Sequence, residues 1–149
     1  MKISSIMVRS VKTVNEDDPV QKAVLTMSKH NIASVLVLKG EKATGIITER
    51  DVLQRVISLN KNPKIVICRN IMSKSLKTID SNSDVIDAIE IMSKYNIKKL
   101  IVINKNSNLV GIISVIDIIN SGEQIERAAL NKLARSFSFY KRRKHTDLT

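Results

Sequence analysis

The pattern running from Met7 to Leu53 returns between Met72 and Ile119. Lys12-Thr13-Val14 comes back as Lys77-Thr78-Ile79, and Pro19-Val20-Gln21-Lys22-Ala23 as Asp84-Val85-Ile86-Asp87-Ala88. Met27-Ser28-Lys29-His30-Asn31-Ile32 comes back as Met92-Ser93-Lys94-Tyr95-Asn96-Ile97, and Val35-Leu36-Val37-Leu38 as Leu100-Ile101-Val102-Ile103. Each copy closes on a related string, Gly45-Ile46-Ile47-Thr48-Glu49-Arg50-Asp51 and Gly111-Ile112-Ile113-Ser114-Val115-Ile116-Asp117. The spacing between copies is constant up to the apolar runs, then grows by one residue, so the second copy has the longer turn. Repeats of this period stack as solenoids when three or more copies are present. Two copies specify a pseudo-symmetric pair, each half burying the other's apolar face.

Each copy reads strand, helix, strand, strand, helix. Asp18 is expected to cap the first helix, with Pro19 at its first position and Gln21 two residues on. Val20, Ala23, Val24 and Met27 then share one face, as do Val85, Ala88, Ile89 and Met92 in the helix that Ser83 and Asp84 begin. The continuous apolar runs Val35–Leu38 and Leu100–Ile103 suit buried strands. Lys39-Gly40-Glu41-Lys42 and Asn104–Asn108 are turns, and the strands flanking the first of them are expected to pair as a hairpin. Such local pairing predicts an α+β fold of two β-α-β-β-α units rather than a doubly wound sheet. Three segments are expected: 1–61, 62–122 with the polar linker Asn60–Lys64 about its start, and 123–149. The last holds an amphipathic helix from Ile125 to about Phe139 and a basic tail.

No apolar run approaches the ~18 residues that suggest a bilayer span, and the start of the chain lacks a signal-peptide core. The single cysteine, Cys68, excludes an internal disulfide and suits a reducing cytoplasm. It has no base near it in sequence and reads as a small core residue. The two histidines, His30 and His145, form no metal-ligand cluster, and no P-loop, nucleophile elbow or glycine-rich dinucleotide turn is present. An enzyme active site is therefore not expected. The formal net charge of +11 favours anionic partners.

Chemistry concentrates in Thr48-x-x-Asp51 and Ser114-x-x-Asp117, at the expected strand-to-helix junctions. A Ser or Thr three residues before a carboxylate is a capping box. The same geometry offers free backbone N–H groups and a partial positive charge to a phosphate. A carboxylate one turn along can take both hydrogens of a ribose cis-diol. Both readings stand at this level. Gly45 and Gly111 are either bend glycines or places where a ligand or strand approaches the backbone.

The doubled Gly-apolar-apolar-Ser/Thr-x-x-Asp string, with its matching upstream elements, resembles a tandem pair of cystathionine-β-synthase (CBS) domains, a Bateman module, over residues about 7 to 120. The resemblance implies a non-catalytic regulatory module that binds AMP, ADP, ATP or S-adenosylmethionine in clefts between the repeats, requires no cofactor, dimerises with itself and signals to an effector protein. It implies one site with Thr48, Arg50 and Asp51, completed across the cleft by Ser75, Leu76, Lys77, Ile97, Lys98 and Lys99. The other would use Ser114 and Asp117, completed by Ser10, Val11, Lys12, Ile32, Ala33 and Ser34. Arg50 and the Lys98-Lys99 pair would give the Asp51 site a preference for polyphosphates, while Ile116 replaces Arg50 in the second. A different class of function is nucleic-acid binding through Lys141, Arg142, Arg143 and Lys144. Against it, aromatic residues are only 3% of the chain, so base-stacking platforms are scarce.

Overall fold

The computed structural model describes residues 1–122, 131 and 133–135. The expected element order is present twice. The first copy forms β1 (Thr13–Asn15), α1 (Val20–His30), β2 (Ser34–Lys39), β3 (Lys42–Thr48) and α2 (Glu49–Val52), which runs on into a π-helical turn, Leu53–Ile57. The second forms β4 (Thr78–Asp80), α3 (Val85–Tyr95), β5 (Lys99–Ile103), β6 (Leu109–Ser114) and α4 (Val115–Asn120). A short 3-10 turn precedes each copy, at Ile3–Ser5 and at Cys68–Asn70. The strands make two three-stranded sheets, β1-β2-β3 and β4-β5-β6. β1 lies parallel to β2, with Thr13 opposite Leu36, and β4 lies parallel to β5, with Thr78 opposite Ile101. Parallel neighbours need a crossover, which α1 and α3 supply. β2 and β3 form the expected antiparallel hairpin, with Ser34 opposite Thr48 and Val37 opposite Gly45.

Sequence halves and compact units differ. One unit, built on β1-β2-β3, comprises Ser10–Lys77 and Asn106–Leu109; the other, built on β4-β5-β6, comprises Met1–Arg9, Thr78–Lys105 and the described residues from Val110 onward. The segment leading into each copy therefore folds with the other copy's sheet. Residue Ser73 and strand residue Ile46 exchange both backbone hydrogen bonds, at 2.9 and 3.0 Å, and Val8 and Ile112 do the same at 2.8 and 2.9 Å. Glycine makes this approach possible. A methyl group added at Gly45 would sit 2.6 Å from Met72 Cγ, and one added at Gly111 would sit 2.8 Å from the Val8 carbonyl and 2.9 Å from Met7 Sδ. Each unit has its own core. Val14, Val20, Ala23, Val37, Ile47 and Met72 are buried in the first, and Ile79, Val85, Ala88, Leu100, Ile113 and Met7 in the second.

The helix ends correct one expectation and add a feature. Asp18 does not cap α1. Pro19 stands at that position, without a side-chain acceptor. Asp18 instead accepts the Asn15 N–H at 2.8 Å and pairs with Lys22 at 3.2 Å. The first free N–H groups of α1 are taken from a distance: Val20 donates to Val66 O at 2.8 Å and Gln21 to Pro63 O at 2.9 Å. Backbone of the exchanged segment does the work of a cap, which no local pattern announces. The helix α3 begins where Ser83 and Asp84 were expected to start it, and Asp84 is its cap, accepting the Ile86 N–H at 2.9 Å. Both helices stop at an asparagine in the left-handed region, Asn31 at φ 51° and Asn96 at φ 52°, where Asn is among the few tolerated residues. The following isoleucines fold back, Ile32 N–H to Met27 O and Ile97 N–H to Met92 O, both at 3.0 Å. Of the C-terminal helix expected over 125–139, only Asn131 and Leu133–Arg135 are described; they are helical, and Leu133 is buried in the second core. The basic tail lies outside the described residues.

Overpacking a close contact costs about 1–3 kcal/mol. Gly111→Ala should destabilise the protein by that amount in denaturant unfolding, because a backbone carbonyl cannot step aside. Gly45→Ala should cost less, because flexible Met72 can yield. Two neutral substitutions would mean that the leading segments do not lie tightly on the strands.

Candidate functional site

Both strings fold into the same corner. The strand ends at a hydroxyl residue with extended backbone, Thr48 at φ −106°, ψ 163° and Ser114 at φ −119°, ψ 163°, and a helix begins at the next residue. Capping boxes close both corners. The Asp51 N–H donates to Thr48 Oγ1 at 3.1 Å while the Thr48 N–H donates to Asp51 Oδ2 at 3.0 Å. The Asp117 N–H donates to Ser114 Oγ at 3.1 Å, and the Ser114 N–H to Asp117 Oδ2 at 2.9 Å. Ser114 Oγ also donates to Asp117 Oδ2, at 2.9 Å.

The consequence is a fixed carboxylate at each corner. Asp51 is one of two buried charged residues among those described, at 8% exposure. A buried charge must be held by donors, and the box supplies one to Oδ2. The other oxygen, Oδ1, lies 3.8 Å from Arg55 Nη2. The guanidinium also donates from Nη1 to the Ile71 carbonyl at 2.6 Å. Residue Arg55 was not singled out from sequence; Ser121 stands at its place in the second copy. Each Oδ1 keeps acceptor capacity for an incoming hydroxyl pair, so one carboxylate can serve as cap and as acceptor at the same time.

The remaining expected residues fall as follows. Arg50 is exposed on α2, and Ile116, in its place on α4, is 62% exposed. Ser10, Val11 and Lys12 lead into β1, Ile32 and Ala33 join α1 to β2, and Ser34 opens β2. These belong to the same unit as Thr48. The Glu49 N–H donates to Ala33 O at 3.0 Å, and Ser34 is the partner of Thr48 across the hairpin. Ile97 and Lys98 join α3 to β5, and Lys99 opens β5. The Val115 N–H donates to Lys98 O at 2.9 Å, which sets Lys98 beside Ser114 in the unit of Asp117. Ser75, Leu76 and Lys77 form the stretch before β4, in the unit of Asp51. Within each unit the structure thus joins Ala33 and Ser34 to Thr48, and Lys98 to Ser114, whereas the sequence grouping had each with the opposite carboxylate. The tight Asn-Ile turn after each helix returns the chain alongside its own copy's third strand.

Cys68 is fully buried and its thiol is pushed up to about 11, chiefly by burial and further by the nearby charge of Asp18. A thiol with so little thiolate is a poor nucleophile. His30 is exposed at the end of α1. Among the described residues no group of three or more His, Cys, Asp or Glu side chains is placed to hold a metal ion. None of the helices described is long and apolar enough to cross a membrane.

Fold and corners together match one family. The sequence model of the CBS domain fits the chain twice, at residues 3–58 and 68–123. The chain belongs to the CBS domain family and carries a tandem pair of these regulatory modules. An uncharacterised protein of Methanopyrus kandleri is 32% identical over 118 residues, which is 78% of this chain and 60% of that one. Inosine-5'-monophosphate dehydrogenase of Thermoplasma acidophilum is 33% identical over 115 residues, 77% of this chain and 22% of the enzyme. The chain thus spans less than two thirds of either relative. Among solved structures, a conserved CBS domain protein of unknown function from Thermoplasma acidophilum superposes with a TM-score of 0.71 at 27% identity, covering 93% of this chain and 76% of that one. A CBS domain protein from Pyrobaculum aerophilum complexed with AMP gives 0.69 at 24% identity, covering 91% and 99%. The expected CBS pair and its α+β fold are both present.

The corners generate a prediction about the protein without ligand. Removing a capping hydroxyl typically costs about 1 kcal/mol. Thr48→Ala and Ser114→Ala should each lower unfolding stability by about that much. A loss under ~0.3 kcal/mol for either would show that its box contributes little to the fold.

Proposed function

We propose that the protein is a non-catalytic sensor that binds an adenosyl ligand, AMP, ADP, ATP or S-adenosylmethionine, at the two strand-to-helix corners. The observation that carries this reading is the fixed carboxylate present at both. One oxygen is spent on the backbone, and the other retains acceptor capacity for a ribose diol beside the start of a helix. The Pyrobaculum protein supports the reading at the level of the fold, since a chain of this architecture is complexed with AMP. Thr48, Arg50 and Asp51 make one ligand set with Ser75, Leu76 and Lys77. Ser114 and Asp117 make the other. Lys98 and Lys99 are grouped with Asp117 because Lys98 is held beside Val115. Ala33 and Ser34 by the same logic join the Thr48 side. Each corner then has its own cations for a phosphate, Arg50 at one and the lysine pair at the other.

Output follows from a population shift: the ligand favours one packing by no more than its difference in affinity for the two. The change would pass to an effector protein, with the sensor acting as a cytoplasmic homodimer and needing no cofactor. A second reading rests on the formal charge of +11 and the block Lys141-Arg142-Arg143-Lys144, which suit nucleic acid. Truncation after Tyr140 should then abolish oligonucleotide binding at low salt while sparing nucleotide binding.

A ligand at 100 times its dissociation constant adds about 2.7 kcal/mol to the native state. We expect such stabilisation in thermal melts with at least one of AMP, ADP, ATP and S-adenosylmethionine, and expect Asp51→Ala or Asp117→Ala to remove part or all of the ligand-induced increment. Melts that ignore all four ligands would leave the corners as helix caps only.

A further inference from the structure

We propose that Arg55 is a positioning residue for ribose recognition at Asp51, with no counterpart at Asp117 among the described residues. The inference rests on the reading of Asp51 as the ribose acceptor and assigns that site its selectivity. Arg55 lies one turn beyond Asp51. That turn is π-helical, closed by the Ser58 N–H donating to Leu53 O at 2.9 Å. Such turns are uncommon and occur often at functional sites. From it the planar guanidinium spans two acceptors, the Ile71 carbonyl at 2.6 Å and Asp51 Oδ1 at 3.8 Å.

The far anchor is rigid. Ile71 is buried, Met72 after it lies against Gly45, and Ser73 is bridged to Ile46. Arg55 therefore faces the carboxylate from a fixed carbonyl, while the Thr48 N–H holds the other oxygen. Asp51 is thus flanked at both oxygens, by a hydrogen bond at Oδ2 and by a longer ion-pair contact at Oδ1. Arg55 is half-exposed and the ion pair is long, so the Asp51 contact itself contributes little to stability.

In the second unit the corresponding residue is Ser121, whose Oγ donates to Ile118 O at 2.9 Å. Among the described residues Asp117 is oriented only through Ser114. The two corners thus share a cap and differ in what faces the carboxylate oxygen that the cap does not use.

The test titrates AMP and 2'-deoxy-AMP calorimetrically into the full chain in an Asp117→Ala background, with Arg55, Arg55→Gln, Arg55→Lys and Asp51→Asn compared. Arg55→Gln should weaken AMP binding about tenfold, equivalent to about 1.4 kcal/mol, and 2'-deoxy-AMP binding less than about twofold. Arg55→Lys should recover part of the selectivity, since an ammonium can face Asp51 but cannot also span to Ile71 O as the planar fork does. Equal losses for the two nucleotides in both Arg55 variants would overturn the assignment. So would AMP binding that Asp51→Asn abolishes and Arg55→Gln leaves intact, which spares the ribose reading itself. Absence of AMP binding in the Arg55 parent, or binding indifferent to Asp51→Asn, would remove the ribose reading and this inference with it.

Discussion

A methionine lying against a glycine, once in each unit, is the contact on which the rest of the architecture depends. Met72 reaches Gly45 and Met7 reaches Gly111 because neither strand has a side chain at that point. The approach lets Ser73 and Val8 add a bridge to the third strand of each sheet. It also brings Val66 and Pro63 to the first turn of α1 as backbone acceptors. A short three-stranded sheet with one helix offers little area to bury, and small domains are marginal for that reason. The leading segment contributes the missing apolar surface, with Cys68, Ile71 and Met72 buried in one core and Ile3 and Met7 in the other.

Past that contact, each third strand has to stop, and the manner of stopping creates the corner. The hydroxyl and the carboxylate satisfy each other's backbone, which stabilises the start of a helix of only four or six residues. The same bonds prevent the carboxylate from rotating. Under the proposed reading, preorganisation of the ribose acceptor is a by-product of ending a strand and starting a helix well. A single residue pair could in that way serve the fold and a ligand without compromise between them.

Local order was legible in the chain; its long-range exchange was not. The helical stripes, the buried apolar runs and the hairpin turn are all periodic or compositional signals, and the elements follow them. Asp18 misled because an ideal cap sequence says nothing about a competing acceptor from Val66 or Pro63, remote in the chain. Spacing cannot tell which strand the loop at Lys98 returns to; the Asn96 turn and the Val115–Lys98 bond set its backbone beside the helix start of its own copy. Asn31 and Asn96 could have been read as left-handed helix ends from their place after the last core residue of each helix. Arg55 carried a signal too, as a position where the copies differ, charged in one and a serine in the other. The Ser/Thr-x-x-Asp corners were visible in full, though only as two alternatives.

The exchange has a consequence for the order in which such a chain can mature on a ribosome. The core around β1, β2 and β3 lacks part of its lining until Met72 has been synthesised, well after α2. The nine residues at the other end face the longer wait. Met1–Arg9 precede the other described residues, yet Lys2 is bridged to Asp84 and Val8 to Ile112, far along the chain. Contacts of such sequence separation form late and slow folding. The segment is thus completed in two instalments, Ile3 settling against Ser83 once β4 has been made and Met7 finding its glycine only when β6 follows.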